Sequence, residues 1–240
     1  MRVRMVKAVV YKQTLDILKN KMIVFMMFLY PFMTLTFKLL LINQAEIFSF
    51  VFPVFVTMHI IMAPMLCFSS VISEEKENNT LKMLFLSDVR SIEYLFGIGL
   101  CLIFFLITST IPYYFILDLT FNQAIILLFM SLFGFICSAL LGSIIGIFAK
   151  NQTSVGTIAS PISMFIGLLP MMGNFNETIK KVSNILYSQR IYNIAYNYNN
   201  MTFDIAYREE IFIFFCNAAV LIVIFSMIYS KRGLKTEKAS

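Results

Sequence analysis

The amino-acid sequence predicts an all-α, polytopic membrane protein with six transmembrane helices in one domain, residues 1–240. Of these residues 59% are hydrophobic and 13% are charged, which is about half the charged share of an ordinary soluble domain. Several apolar runs approach the roughly 20 residues that a helix needs to cross the hydrocarbon core. A soluble core could not cover this much apolar surface, so most of the chain is expected to lie in lipid.

The predicted spans have boundaries good to about three residues. They are residues 22–42, 48–72, 92–117, 123–148, 155–172 and 211–229. Fourteen of the 19 lysines and arginines fall on one side of these spans, and loops rich in basic residues stay in the cytoplasm. Both termini, including the tail 230–240, are therefore expected on the cytoplasmic face of the membrane.

The first 21 residues are predicted to form an interfacial helix ahead of the first span. At 100° per residue its apolar side chains share one face, and its charged side chains point the other way. Such a helix would place its apolar face in the lipid and its basic face in water. The apolar face comprises Val3, Val6, Val10, Thr14, Ile17 and Leu18, and the charged face comprises Arg2, Lys12, Asp16 and Lys19.

The loop between spans two and three, residues 73–91, is predicted to contain a short amphipathic helix. Its acidic residues would open that helix, as the helix dipole favours. Apolar residues then recur at helical spacing, and Ser87 with Asp88 ends the helix. The residues that would contact a partner are Glu74, Glu75, Lys76, Glu77, Thr80, Leu81, Leu84, Phe85 and Asp88.

Spans four and five carry two further patterns. Gly134, Ser138, Gly142 and Gly146 form a stripe of small residues at four-residue spacing, which permits close approach of another helix. We favour packing within one subunit over a seam between two subunits. Prolines are expected to kink or end helices, and Pro161 and Pro170 are predicted to shape an outer gate in span five. The other prolines in this prediction are Pro53, Pro64 and Pro112.

The segment 173–210 is too long for a tight turn and too rich in apolar and aromatic residues for a disordered loop. Its spacing predicts one or two short helices that lie at the outer leaflet or dip into it. Its tyrosines, among them Tyr187, Tyr192 and Tyr196, are expected at the level of the lipid head groups.

The sequence contains no GxxxxGK[ST] phosphate-binding loop, so ATP and Mg²⁺ would be bound by a separate subunit. We predict no catalytic residues, no metal site and no cofactor in this chain. His59 is the only histidine, and the four cysteines lie unpaired in apolar runs. The basic residues flank spans rather than forming a stripe, so membrane lipid is the expected partner and nucleic acid is not.

The loop at 73–91 resembles the corresponding loop of ABC-2-type permeases. The resemblance is carried by an acidic pair, a basic residue, Thr80 followed by Leu81, an apolar cluster and the break at Ser87 and Asp88. It extends over the chain: an interfacial helix, two spans, this loop, and four spans with an outer re-entrant segment before the last. One departure is Gly97, where many relatives carry a lysine.

This resemblance implies an ABC-2, type V exporter-like permease whose loop is a coupling helix docked on an ABC ATPase. Two permease subunits, as a homodimer or a heterodimer, would export hydrophobic or amphipathic cargo. Peptides of the phenol-soluble-modulin or bacteriocin kind are the first expectation. The alternatives are an immunity or sensor protein that binds an external peptide, an intramembrane enzyme and an ion-coupled transporter.

Overall fold

A computed structural model describes residues 2–197 and 206–232 of the chain, and these contain helices and turns but no strand. Their order begins with α1 (Val3–Lys19), α2 (Lys21–Leu40), α3 (Ala45–Glu77), α4 (Thr80–Leu86), α5 (Ser91–Thr108) and α6 (Ile111–Ile116). It continues with α7 (Phe121–Phe148), α8 (Gln152–Gly173), α9 (Glu177–Ser183), α10 (Tyr187–Tyr196) and α11 (Ala206–Arg232). The tail from 233 onward and residues 198–205 of the predicted outer segment lie outside the described residues.

Six segments of the described chain are long and apolar enough to cross a membrane, which confirms the predicted all-α, six-span fold. They are α2, α3, α5 with α6, α7, α8 and residues 211–229 of α11. One end of the bundle carries α1, α4 and the turn from α7 to α8, and we call it the α4 end. The end that carries α9 is called the α9 end.

The third predicted span, residues 92–117, is broken next to Pro112, in line with the prediction that this proline kinks or ends a helix. α5 stops at Thr108, and α6 starts at Ile111 with a proline in its first turn. Proline lacks the amide hydrogen that a continuing helix needs, so it is tolerated at a helix start. The hydroxyl of Ser109 donates to the carbonyl of Leu106 at 2.7 Å, which satisfies part of the interrupted backbone.

α3 is the central helix of the bundle, since it packs against α2, α7, α8 and α10. Its closest neighbour is α7. At Gly142 an added Cβ would lie 2.6 Å from the carbonyl oxygen of Met65, so only glycine permits this approach. The structure thus places the small-residue stripe of α7 against α3 of the same chain. Within it, the hydroxyl of Ser138 donates to the carbonyl of Ile60 at 2.9 Å.

Five of the six prolines lie inside helices that continue through them, among them Pro31 of α2. Pro53 and Pro64 belong to α3, and Pro161 and Pro170 belong to α8. None of these five prolines ends its helix, whereas Pro112 lies at the beginning of α6. Packing of α3 and α8 in the bundle supports helices that proline alone would disfavour.

α1 packs on α5 with a face that includes Val6 and Ile17 of the predicted face but is shifted from it. Its buried residues are Val6, Val9, Gln13 and Ile17. Val3 and Leu18, predicted for the apolar face, are 63% and 60% exposed. The contact with α5 accounts for the shift, because a Cβ on Gly97 would lie 2.7 Å from Val9 Cγ1. Gly97, which stands where many relatives carry a lysine, is therefore a residue of α5 that α1 approaches closely.

α10 is buried among α3, α7, α8 and α11, so the outer segment re-enters the bundle. Tyr187 begins this helix and its hydroxyl lies 2.9 Å from Ser138 Oγ. The expectation of head-group tyrosines is therefore wrong for Tyr187 and Tyr192, which are 2% and 3% exposed, and stays a prediction for Tyr196, which is 52% exposed. Protein neighbours on several sides replace the lipid interface that the composition suggested.

Side chains satisfy the irregular backbone that leads into α10. Asn217 of α11 donates to the carbonyl of Ile185 at 2.9 Å, and Arg190 donates to the carbonyl of Asn184 at 2.6 Å. Non-helical backbone within a membrane protein requires partners of this kind, because lipid supplies none.

Candidate functional site: the coupling helix and the end of α3

α4 is a short helix held between α3 and α5. Asn79 precedes it with φ of 56° and Asp88 follows it with φ of 63°, a left-handed conformation that asparagine and aspartate tolerate better than most residues. These two residues let the chain leave α3, form α4 and enter α5 within a few positions. The predicted break at Ser87 and Asp88 is confirmed, since α4 ends at Leu86.

The acidic residues were predicted to open the coupling helix, and this prediction is wrong. Glu74, Glu75 and Glu77 lie in the last turn of α3 together with Lys76, and α4 begins at Thr80. Glutamate and lysine favour the helical state, so α3 continues through them. The dipole argument was therefore applied to the wrong helix.

Lys76 and Glu77 contact the ends of two other spans. The Lys76 ammonium donates to the carbonyls of Ile147 and Ala149, at 2.7 Å each, at the C-terminus of α7. Glu77 Oε2 accepts from the backbone nitrogen of Gln152, the first residue of α8, at 3.0 Å. A cation at a helix C-terminus and an anion at a helix N-terminus are both favourable. The end of α3 is thereby attached to α7 and α8.

Glu74 and Glu75 contact the first two helices. Glu75, which is 6% exposed, forms an ion pair with Lys12 of α1. Asn20, between α1 and α2, donates to Glu74 Oε2 at 3.4 Å. Burial alone would lower the pKa of Lys12, but hydrogen bonds and charge attraction from Glu75 and Asp16 raise it above its ordinary value. Lys12 is therefore charged at neutral pH and holds α1 to α3.

A second ion-pair cluster attaches the start of α1 to the far side of α4. Arg2 pairs with Glu93 at 3.1 Å and with Asp88. The hydrogen bonds to Glu93 and Asp88 raise the pKa of Arg2. Arg2 and Lys12, which were predicted to face water, are half-exposed, and their carboxylate partners come from α3, α5 and the turn after α4. Together these contacts hold α1 on both sides of the coupling helix.

The exposed face of α4 is not the predicted one. Leu81 is buried, and Leu84 and Phe85 are half-buried against the core. The apolar side chains that point outward are Met83 and Leu86, 60% and 86% exposed. Sequence reasoning missed them because it assigned the denser apolar face to a partner. The available signal was the i, i+3 spacing of Met83 and Leu86 beside the exposed Lys82.

Three predicted residues remain: Thr80, which begins α4, and Pro161 and Pro170, which belong to α8. Thr80 donates its hydroxyl to the carbonyl of Glu75 at 3.1 Å, which helps join α4 to α3. Pro170 is buried near the α9 end. Pro161 is exposed in the middle of α8, twelve positions before Gly173 and thus more than three turns from the helix end. The structure does not place Pro161 and Pro170 together, and their role as an outer gate stays a prediction.

His59 lies in the interior rather than at an exposed surface. It is fully buried, and its Nε2 lies 2.9 Å from Ser109 Oγ at the break between α5 and α6. Its ring lies near that of Tyr113, with centroids 5.5 Å apart. This arrangement fits a packed polar contact between α3 and the broken third span.

Comparison with known sequences supplies the family. A family model described as ABC-2 family transporter protein matches residues 41–227, more than three quarters of the chain. The match runs from α3 to α11 and includes α4 and α10. No significant match was found among curated proteins or among solved structures. This multi-pass membrane chain belongs to the ABC-2 transporter family and is the permease subunit of an ABC transporter, which works with an ABC ATPase subunit.

Proposed function

We propose that this chain is one of two permease subunits of a bacterial exporter, and that α4 is the helix through which a separate ATPase moves it. The cargo is hydrophobic or amphipathic, with peptides as the first class. The α4 end faces the cytoplasm of a bacterial cell, as the distribution of basic residues favours. ATP and Mg²⁺ are bound by the ATPase.

The observation that carries this proposal is that the end of α3 is attached to three other helices and to the junction between α1 and α2. α3 leads directly into α4, and its last turn contacts α1, the α1–α2 junction, α7 and α8 through Glu74, Glu75, Lys76 and Glu77. A displacement of α4 would therefore reach several spans at once. Switching transitions of transport proteins use rigid elements that move together in this way.

Contact with the ATPase is assigned to Met83 and Leu86, because these apolar side chains of α4 are exposed. Leu84 and Phe85 instead contribute to the fold of the permease, since the Phe85 ring packs edge-on against Tyr94 with centroids 6.2 Å apart. Apolar burial flanked by charge is typical of a specific protein interface.

The experiment tests this assignment with the double substitution Met83→Asp and Leu86→Asp. We expect loss of ATPase co-purification and at least a tenfold fall in ATP-dependent peptide uptake by inside-out vesicles. The reason is that two apolar side chains that the ATPase would cover become charged. The matched control replaces Ile42 and Phe121 by aspartate, because both are more than two-thirds exposed at the α9 end.

A fully active complex in the doubly substituted protein would contradict the docking role of α4. Peptide that binds without nucleotide and is never moved would contradict the exporter and favour an immunity or sensor protein. Uptake that follows an ion gradient and ignores ATP would favour an ion-coupled transporter.

A further inference from the structure

A cavity of about 760 Å³ opens at the α4 end between α1, the beginning of α2 and the end of α3. Small-molecule sites commonly have volumes of about 300 to 1,000 Å³. None of the proposed roles of α4 uses this cavity. It is bounded by the elements that the ion pairs hold together, so its walls are fixed in position.

A buried polar group in the lining of the cavity lacks a hydrogen-bond donor. Gln13 lines the cavity and is 2% exposed, and its Oε1 has no partner among the described residues. Buried amide oxygens are nearly always hydrogen-bonded, and an unpaired one costs free energy. A guest that donates a hydrogen bond to Gln13 would remove that cost.

The charged side chains of the lining fall into two groups, one mainly acidic and one basic. Asp16, Glu74 and Glu75 line the cavity and Lys12 pairs with Asp16 and Glu75, so these three acids outnumber the one lysine paired with them. Two further lysines, Lys19 and Lys21, also line the cavity and are exposed. The interior therefore favours a cation with N–H groups, and the mouth favours an anion.

The mouth also lies where a membrane-spanning helix begins. Lys21 is the first residue of α2, and the apolar side chains of Met22 and Phe25 that follow it are 57% and 64% exposed. Lysines at the end of a span lie at head-group level, with the apolar residues beyond them in the acyl region. A lipid could thus reach the cavity from the leaflet at the α4 end.

We propose that this cavity binds the head group of an aminophospholipid of the phosphatidylethanolamine class. The primary ammonium lies toward Gln13, Glu74 and Glu75, and the phosphate lies between Lys19 and Lys21. The acyl chains follow Met22 and Phe25. A basic side chain from a protein would pair with the inner acids but would leave Lys19 and Lys21 without an anion.

The experiment uses the full chain, purified in detergent, stripped of lipid and titrated with short-chain phospholipids under native mass spectrometry. We expect phosphatidylethanolamine to bind about tenfold more tightly than phosphatidylcholine, because the quaternary ammonium has no N–H to donate. Phosphatidylglycerol, which lacks the cation, should also bind weakly. Competition by soluble phosphoethanolamine would support recognition of the head group itself.

Variants locate the binding. Gln13→Leu should abolish the preference for phosphatidylethanolamine, and Glu74→Gln, which keeps the side-chain shape, should reduce it. Gln189→Leu is the matched control, since Gln189 is 4% exposed in α10 and outside the cavity. Equal binding of all three lipids, or a preference that survives both cavity substitutions, would overturn the proposal. ATPase binding that needs Gln13 and Glu74, in a chain that shows no lipid preference, would overturn it in favour of a basic side chain from that partner.

Discussion

α3 and α11 are both apolar helices of membrane-spanning length, yet they lie in opposite surroundings. In α3, 72% of the most apolar window is buried within the chain, against 6% in α11. Cys67 of α3 is buried and Cys216 of α11 is exposed. Hydropathy therefore reports that a helix can lie in lipid, and it does not report whether protein surrounds it. α11 is left for lipid or a second permease subunit to cover.

Matched isoleucine substitutions should show the largest effect. Ile61 of α3 is fully buried and Ile222 of α11 is 52% exposed. Ile61→Ala is expected to lower the free energy of unfolding by about 2 to 5 kcal/mol, because a core cavity forms. Ile222→Ala should change it by about 0.5 kcal/mol or less. Thermal unfolding of the purified chain in detergent would measure both, and equal losses would contradict the contrast between the two helices.

Glycine substitutions test why α7 lies so close to α3. Gly142→Ala is expected to cost about 1 to 3 kcal/mol by overpacking, since the added Cβ would meet the backbone of Met65. Gly156→Ala is the control, because no atom lies within 4 Å of its added Cβ. The control should be neutral or slightly stabilising in the same unfolding measurement. A neutral Gly142→Ala variant would show that the two helices do not make this contact.

The contact between the end of α3 and α7 should have the smallest effect on stability and a larger one on transport. Lys76→Met removes the ammonium from the C-terminus of α7 at a cost of about 1 kcal/mol. We expect ATP hydrolysis by the assembled complex to continue while peptide uptake falls severalfold. Lys150→Met is the control, because Lys150 is exposed close to the same helix end. Unchanged uptake by the Lys76→Met variant would show that the contact between Lys76 and α7 does not contribute to coupling.

The spans and the coupling helix could be predicted from sequence, because length and hydropathy decide whether a helix can cross a membrane. The turn residues of α4 were also readable, since Asp88 has a left-handed conformation at the predicted break. The stripe at Gly134 and Gly142 indicated a close helix contact. Features of this kind depend on residues that are close in sequence, and this is why they could be predicted.

The contacts between distant residues could not be read in this way. The charged residues of the α3 end were assigned to an external partner, whereas Glu75 pairs with Lys12, 63 positions earlier. The face of α1 was predicted from its own periodicity, and the approach of Val9 to Gly97 shifted it. A charge can be satisfied inside or outside the chain, and a periodicity identifies a face without naming its neighbour.

The depth that α10 reaches determines where its tyrosine hydroxyl must find a partner. Ser138, which meets the Tyr187 hydroxyl, lies ten residues before the end of α7 at Phe148, a rise of about 15 Å. This is about half of a 30 Å hydrocarbon layer. α10 therefore brings a tyrosine hydroxyl to about the middle of the bilayer, where lipid offers it no hydrogen-bond partner. The Ser138 hydroxyl supplies that partner inside the bundle.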